Sequence, residues 1–316
     1  MRYSVNHVTR FIYDSPISES IMEARMQPRS EGQQHCLRFA LTTIPQAHVM
    51  SHQDHDGNTV HQFDIPARHS RLTLTAQALV ECQEGDPVPS QIGPGVWSEL
   101  ESLSASGEFW EFLSPSAFVV PMPLLEAFRN EVQLQRGVDP LVTLRRLMDE
   151  MYTRFEYSPY STQVDSPIDD ALRERRGVCQ DFAHIFLAMV RPLGIPARYV
   201  SGYLFHGEGV SDRSIDGASH AWVEAFVPPI GWVGFDPTNN LVAEQRHIRV
   251  AVGRDYADVP PTRGIYKGIS TVRSELAVSV RVGSVDPHPG DLAAFMPWVS
   301  QEAPAPSLED DQQQQQ

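Results

Sequence analysis

The chain has 316 residues, of which 41% are hydrophobic and 21% charged, and carries a formal charge of −15 from 25 basic and 40 acidic side chains. That length holds one large or two ordinary domains with a full apolar core. The acidic balance excludes a protein built to neutralise nucleic-acid phosphates or to dock on an anionic membrane surface, and no run of about 18 apolar residues reads as a membrane span.

From the amino terminus, RYSVNHVTRFIY puts Tyr3, Val5, Thr9, Phe11 and Tyr13 on one parity, the period of a strand. The same stretch lacks the apolar segment of a secretory signal. SRLTLTAQALVEC alternates as well, with Leu72, Leu74, Ala76, Ala78 and Val80 on one face. Between the two runs, Asp56-Gly57 marks a hairpin turn. Residues 1–83 are therefore expected to form an antiparallel, β-sandwich-like domain. Residues 84–138 read as a connecting segment: EGDPVPSQIGPG is loop by composition and LLEAFRNEV a short helix, without a functional signal.

Helical spacing begins at Asp139-Pro140, an N-cap followed by a first-turn proline, and continues through Leu141, Leu144, Leu147, Met148, Met151 and Phe155. Ser166-Pro167 opens a second helix, with Asp169 completing a capping box and Gly177 closing it as a C′ glycine. A third starts near Cys179, with Phe182, Ile185, Phe186, Met189, Val190 and Leu193 as its buried stripe, and stops at Gly194 and Pro196. ARYVSGYLF, HAWVEAFV, GWVGFDP and ELAVSVRV then read as strands. Residues 139–285 are expected to be a core of helices packed on an antiparallel sheet, with closing strands, which makes the chain α+β. Residues 286–316 are rich in Pro, Ala, Glu and Gln, end in DDQQQQQ, and are expected to be a disordered tail.

The cysteines are Cys36, Cys82 and Cys179. An odd number without a C-x-x-C pair suggests neither a disulfide framework nor structural zinc, and reduced thiols in a cytoplasmic protein are expected. Cys179 stands out by position. At a helix start the unpaired N–H groups and the dipole favour negative charge. Such a placement lowers a thiol pKa from about 8.5 toward roughly 3.5–7.5 and offers donors to an oxyanion. A buried structural cysteine fits the same position. A nucleophile also needs a base, and the base an orienting acceptor. His220 starts one strand and Asp236 ends the next, and the short VPPIG link makes a hairpin that sets the two side by side. Singly, each has a bland reading: a strand-end histidine and an Asp-Pro turn. The ordered set of three points to nucleophilic catalysis.

RRGVCQDFAHIFLAMVRPLGIPARYVSGYL, SHAWVEAF and GWVGFDPTNN resemble the core of the bacterial transglutaminase-like family, which is similar in its catalytic core to papain-type cysteine proteases. YDSPISES and DHDGNTV resemble the family's β-rich amino-terminal domain, and HIRVAVGRDYADVPPTRG the segment after its aspartate. The resemblance thus covers nearly the whole chain before the tail. It implies Cys179 as nucleophile, His220 as base and Asp236 as orienting acid, with no metal and no organic cofactor. An aromatic residue upstream of the nucleophile helix can donate to the oxyanion in this superfamily, which here would be Tyr157. The implied reaction is thiol-dependent acyl transfer at amide bonds of a protein or peptide substrate. Water as acceptor makes a cysteine protease or amidase, the reading favoured here. A lysine amine makes a protein-glutamine transglutaminase, and an idle site a peptide-binding module.

His48, His52, His55, His61 and His69 gather around a hairpin without compact ligand spacing, and DHDGN lacks the glutamate of a calcium loop, so no metal site is expected. HGEGVSDRSIDG, residues 206–217, reads either as a surface loop or as a flap over the site. Trp222 and Trp232 read as core.

Overall fold

The structure, a computed structural model, describes residues 1–159, 161, 166–207, 209–268 and 271–285. The tail expected over 286–316 lies outside the described residues. The amino-terminal alternation becomes six strands: β1 (Arg2–Ile17), β2 (Glu19–Ala24), β3 (Gln34–Ile44), β4 (Met50–Gln53), β5 (Thr59–Ile65) and β6 (His69–Cys82). The Asp56-Gly57 turn joins β4 to β5, with Gly57 in the left-handed region at φ 74° that its missing Cβ permits.

The middle of the chain is helical. α1 (Val96–Ser106), α2 (Trp110–Leu113) and α3 (Pro123–Glu131) lie in the connecting segment, and only α3 is marked in the sequence. α4 (Pro140–Arg154) is capped as expected: Asp139 accepts hydrogen bonds from the Leu141 and Val142 N–H groups. The two-residue strand β7 (Glu156–Tyr157) follows, then α5 (Ile168–Glu174), β8 (Arg176–Gly177) and α6 (Cys179–Val190). The ends of α5 differ from expectation. Its N-cap is Pro167, not Ser166, and no side chain caps it. The left-handed C-cap is Arg175, at φ 54°, while Gly177 lies in β8, paired in parallel with Tyr157. α6 is also not a half-buried helix, because every one of its residues is buried.

The remaining strands are β9 (Ala197–Leu204), β10 (His220–Val227), β11 (Gly231–Asp236), β12 (Leu241–Val242), β13 (His247–Gly253), β14 (Thr262–Lys267) and β15 (Ser274–Ser284). Three sheets organise the molecule, all antiparallel within themselves. Their orders are β15-β1-β6-β3, β14-β2-β5-β4 and β12-β11-β10-β9-β13. The first two face each other across Tyr13, Ile17, Phe63, Leu72 and Leu74, a sandwich core. α6 packs on β9 and β10 of the third, against α3, α4 and α5. The architecture is α+β, a sandwich followed by helices on an antiparallel sheet.

The last two strands return to the sandwich: β14 pairs with β2, and β15 runs along β1 from Tyr3 to Tyr13. β1 and β6 are long enough to serve two cores. Their Tyr3, Val5, Ala78 and Val80 belong to the cluster that contains Phe182 and Phe235. The outer edge of β13 is covered by side-chain amides. Gln34 bonds the Arg249 N–H and C=O, and Asn58 those of Val252, each at 2.8 Å. An edge that would otherwise offer unpaired backbone groups is thereby satisfied within the chain.

Candidate active site

Cys179 is the first residue of α6 and is 1% exposed. Its position depends on how the helix starts. The N-cap, Val178, is extended and has no polar side chain, so Asp181 reaches back and accepts the Val178 N–H at 2.8 Å. Gly177 leaves room for this: a Cβ there would meet Asp181 Oδ2 at 2.7 Å. Cys179 opens the first turn of α6, whose N–H groups have no partner within the helix.

The β10–β11 hairpin brings His220 and Asp236 together, with Nε2 2.7 Å from Oδ2. Both are sealed from solvent, at 3% and 0% exposure. The Cys179 thiol hydrogen-bonds the His220 ring, and with Nε2 given to Asp236 the ring offers Nδ1 on its other side. Trp222, fully buried, stacks on His220 at 6.0 Å between ring centroids. Burial works against the imidazolium, but the Asp236 charge, its hydrogen bond and the bond to Cys179 outweigh it, and His220 is pushed up to about 10. For Asp236, burial works toward the neutral acid. The His220 charge and the bonds from His220 and His247 prevail, so its carboxyl is held well below the usual range.

Two residues that the sequence reading does not single out complete the cluster. Asn239 donates from Nδ2 to Asp236 Oδ2 at 2.8 Å, and its Oδ1 accepts the Arg213 and Ser214 N–H groups. His247 Nε2 approaches the same Oδ2 at 3.2 Å. Asp236 Oδ1 takes the backbone N–H groups of Thr238 and Asn239. An Asp-x-x-Asn spacing after a strand is a turn signal, and it was available in DPTNN. Nothing local marks His247, which comes from another strand.

Tyr157 lies in β7 opposite Gly177, two residues before Cys179, and the Ser158 N–H continues the bridge to the Gly177 carbonyl at 2.9 Å. It is half-buried and lines an open groove with Phe155, Arg175 and Arg213. The 206–217 stretch is pinned at several points. Asp212 bonds His206 and Arg246, the Arg213 guanidinium bonds the Tyr152 and Phe155 carbonyls, and the Gly217 carbonyl accepts the Val280 N–H of β15. Cys36 and Cys82 lie elsewhere, and burial pushes each thiol up to about 11. Trp222 is core, while Trp232 is half-buried beneath Arg198.

Among the described residues, His220, Asp236 and His247 form a group whose ligand-type atoms lie within 4.8 Å of one another. The Asn239 amide already points its N–H at the shared oxygen. That donor set suits hydrogen bonding to an anion, not an open cation site.

A thiol opening a buried helix, an imidazole opening a strand and a carboxylate closing its partner strand define the papain-like class of α+β folds. Residues 131–237 match the transglutaminase-like superfamily and residues 3–81 the bacterial transglutaminase-like N-terminal region. An uncharacterised protein of Mycobacterium leprae is 36% identical over 280 residues, covering 88% of this chain and 98% of the relative. The chain belongs to the bacterial transglutaminase-like family. A solved structure from Cytophaga hutchinsonii, described provisionally as a cysteine protease, shares the fold. Its TM-score is 0.68 at 23% identity, over 92% of this chain and 93% of that one. A protein-glutamine gamma-glutamyltransferase of Pseudomonas aeruginosa is 30% identical over 140 residues, 39% of this chain and 21% of that protein.

Proposed function

We propose that the protein is a thiol-dependent acyl-transfer enzyme acting on amide bonds of protein or peptide substrates in the cytoplasm, with water as the usual acceptor. One observation carries the reading: a buried His220–Asp236 pair at 2.7 Å, with the imidazole also bonded to a thiol at a helix start. His220 holds a proton while Cys179 is the thiolate. The sulfur attacks the amide carbonyl carbon, and the carbonyl π electrons move onto oxygen. First-turn N–H groups stabilise that oxyanion, and Tyr157 is assigned as the second donor. Collapse breaks the C–N bond, and His220 gives its proton to the leaving nitrogen. Water then attacks the thioester, His220 takes a proton from it, and the carboxylic acid leaves as the thiolate returns.

Transfer to an amine is the second reading, favoured by the similarity to the Pseudomonas aeruginosa transferase. Peptidase and amine-incorporation assays on one protein preparation separate the two.

The triad itself is tested without a substrate. At about pH 6 iodoacetamide labels activated thiols and spares ordinary ones. Labelling of Cys179 alone, lost in His220→Ala, is the expected result, because burial keeps Cys36 and Cys82 protonated. Indiscriminate or His220-independent labelling would remove the triad and leave a binding module. Cys179→Ala is expected to abolish turnover while leaving the fold in place.

A further inference from the structure

Asp236 Oδ2 is shared by three donors: His220 Nε2 at 2.7 Å, Asn239 Nδ2 at 2.8 Å and His247 Nε2 at 3.2 Å. The acyl-transfer reading uses only the first. His247 opens β13, which pairs with β9, not with the β10–β11 hairpin that carries His220 and Asp236. It therefore reaches the carboxylate from a separate element.

The far side of the His247 ring identifies its form. The Glu244 backbone N–H points at Nδ1, 3.4 Å away. An N–H only donates, so Nδ1 is an acceptor and the ring proton sits on Nε2, facing Asp236. His247 is thus a neutral donor. The ring is buried edge-on to Trp222 at 5.2 Å and lies 6.2 Å from the His220 ring, centroid to centroid. The charged or titratable groups facing it are Asp236 from β11, His220 from β10 and its own neighbour Arg246. Burial, His220 and Arg246 oppose a second proton, and Asp236 favours one; the balance holds His247 below its ordinary value.

We propose that His247 is a positioning residue for the thiol–imidazole pair. As a neutral donor it fixes Asp236 Oδ2 against His220; once protonated, it draws the carboxylate's charge away from His220 and turns Cys179 off in acid. The proton balance is simple. A proton taken up at His247 Nδ1 displaces the Glu244 N–H and places two imidazolium groups on one carboxylate. The His220 proton then returns to the Cys179 sulfur, leaving a neutral thiol. This inference rests on the triad reading and holds for either acyl acceptor.

The test follows the rate of Cys179 alkylation by iodoacetamide, located by mass spectrometry, across the acid and neutral range in wild type, His247→Gln and His247→Leu. Glutamine keeps an N–H donor near Nε2 and takes up no proton. Leucine keeps bulk and loses the donor. His247→Gln is expected to keep more of the neutral-pH labelling rate than His247→Leu does, with an acid limb that is shallower than wild type's and about half a pH unit or more lower. His247→Leu is expected to label ~10-fold more slowly at neutral pH, the scale of losing an outer partner of a functional histidine. Superimposed acid limbs for wild type and His247→Gln would overturn the inference, whatever His247→Leu does. A His247→Leu chain that fails to fold leaves the decision with His247→Gln. If wild-type Cys179 labels no faster than Cys36 and Cys82, the triad reading fails instead, and the two failures are distinguishable.

Discussion

Five N–H donors converge on Asp236: two backbone groups on Oδ1, and His220, His247 and Asn239 on Oδ2. A carboxylate with no exposed surface is tolerable only with such company, because each unpaired lone pair would forfeit its hydration. Asn239 does more than fill a site. Its amide joins Asp236 to the loop before His220 through the Arg213 and Ser214 N–H groups and the Ser214 hydroxyl. Removing it breaks a hydrogen bond to a buried charge and frees two backbone donors at once. Asn239→Ala is expected to destabilise the fold by about 2–3 kcal/mol and to slow Cys179 alkylation severalfold, read by urea unfolding and labelling rate. An unchanged labelling rate would mean that the loop holds His220 without Asn239. Cys179, His220 and Asp236 are legible in the sequence because each marks an element end. Asn239 and His247 act through contacts that spacing alone does not predict, and His247 comes from a strand outside the hairpin.

At the scale of elements, the position of Cys179 is a property of how α6 begins. Its cap is assembled from the wrong direction: the N3 carboxylate of Asp181 serves the Val178 N–H, and Gly177 makes the space. Gly177→Ala puts a methyl group against that carboxylate. Expected effects are the loss of about 1 kcal/mol, the scale of a missing helix cap, and slower Cys179 labelling as the first turn shifts. A thermal melt together with the labelling rate checks both, and wild-type values for each would show that Asp181 is not needed to start the helix. The expectation that Gly177 ends α5 went astray because glycine's usual meaning is conformational, whereas here it is steric. Arg175 takes the left-handed position instead, and its guanidinium lies over Phe128 and Phe155. α1 is not legible in the sequence because it lacks a capping side chain and buries only Val96 and Leu100, too little for a helical stripe to show. The strands of the sandwich were legible from alternation. Their partners were not, since β15 finds β1 across nearly the whole chain, and pairing at that separation leaves no local trace.

The whole molecule is joined by polar seams as well as apolar ones, and two of them rest on neutral histidines. His7 of β1 lies between the Thr9 and Tyr203 hydroxyls, and the Tyr203 hydroxyl donates a hydrogen bond to the Met26 carbonyl. This chain ties the sandwich to the sheet that carries His220 and Asp236. His184 of α6 accepts the Tyr256 N–H and stacks on Phe118. Burial lowers His7 to about 4; burial, helped by Arg191, lowers His184 to about 3. Each therefore binds its proton in the unfolded chain first. Their stability contribution is complete above the unfolded value of about 6.5 and is lost as pH falls below it, by about 1.4 kcal/mol per pH unit for each. His220 has the opposite sign. Raised to about 10, it stabilises fully below about 6.5 and loses that contribution as pH climbs through its folded value. Stability is thus expected to peak near pH 6.5 and to fall more steeply on the acid flank, where His247 is lowered as well, than on the alkaline one. Between pH 6.5 and 5 the two histidines together remove on the order of 4 kcal/mol, a large share of an ordinary folding free energy. Urea midpoints measured from pH 4.5 to 9 test this, with His7→Gln expected to make the acid slope shallower. A midpoint that stays level from pH 6.5 to 5 would show that these two seams admit a charged imidazole.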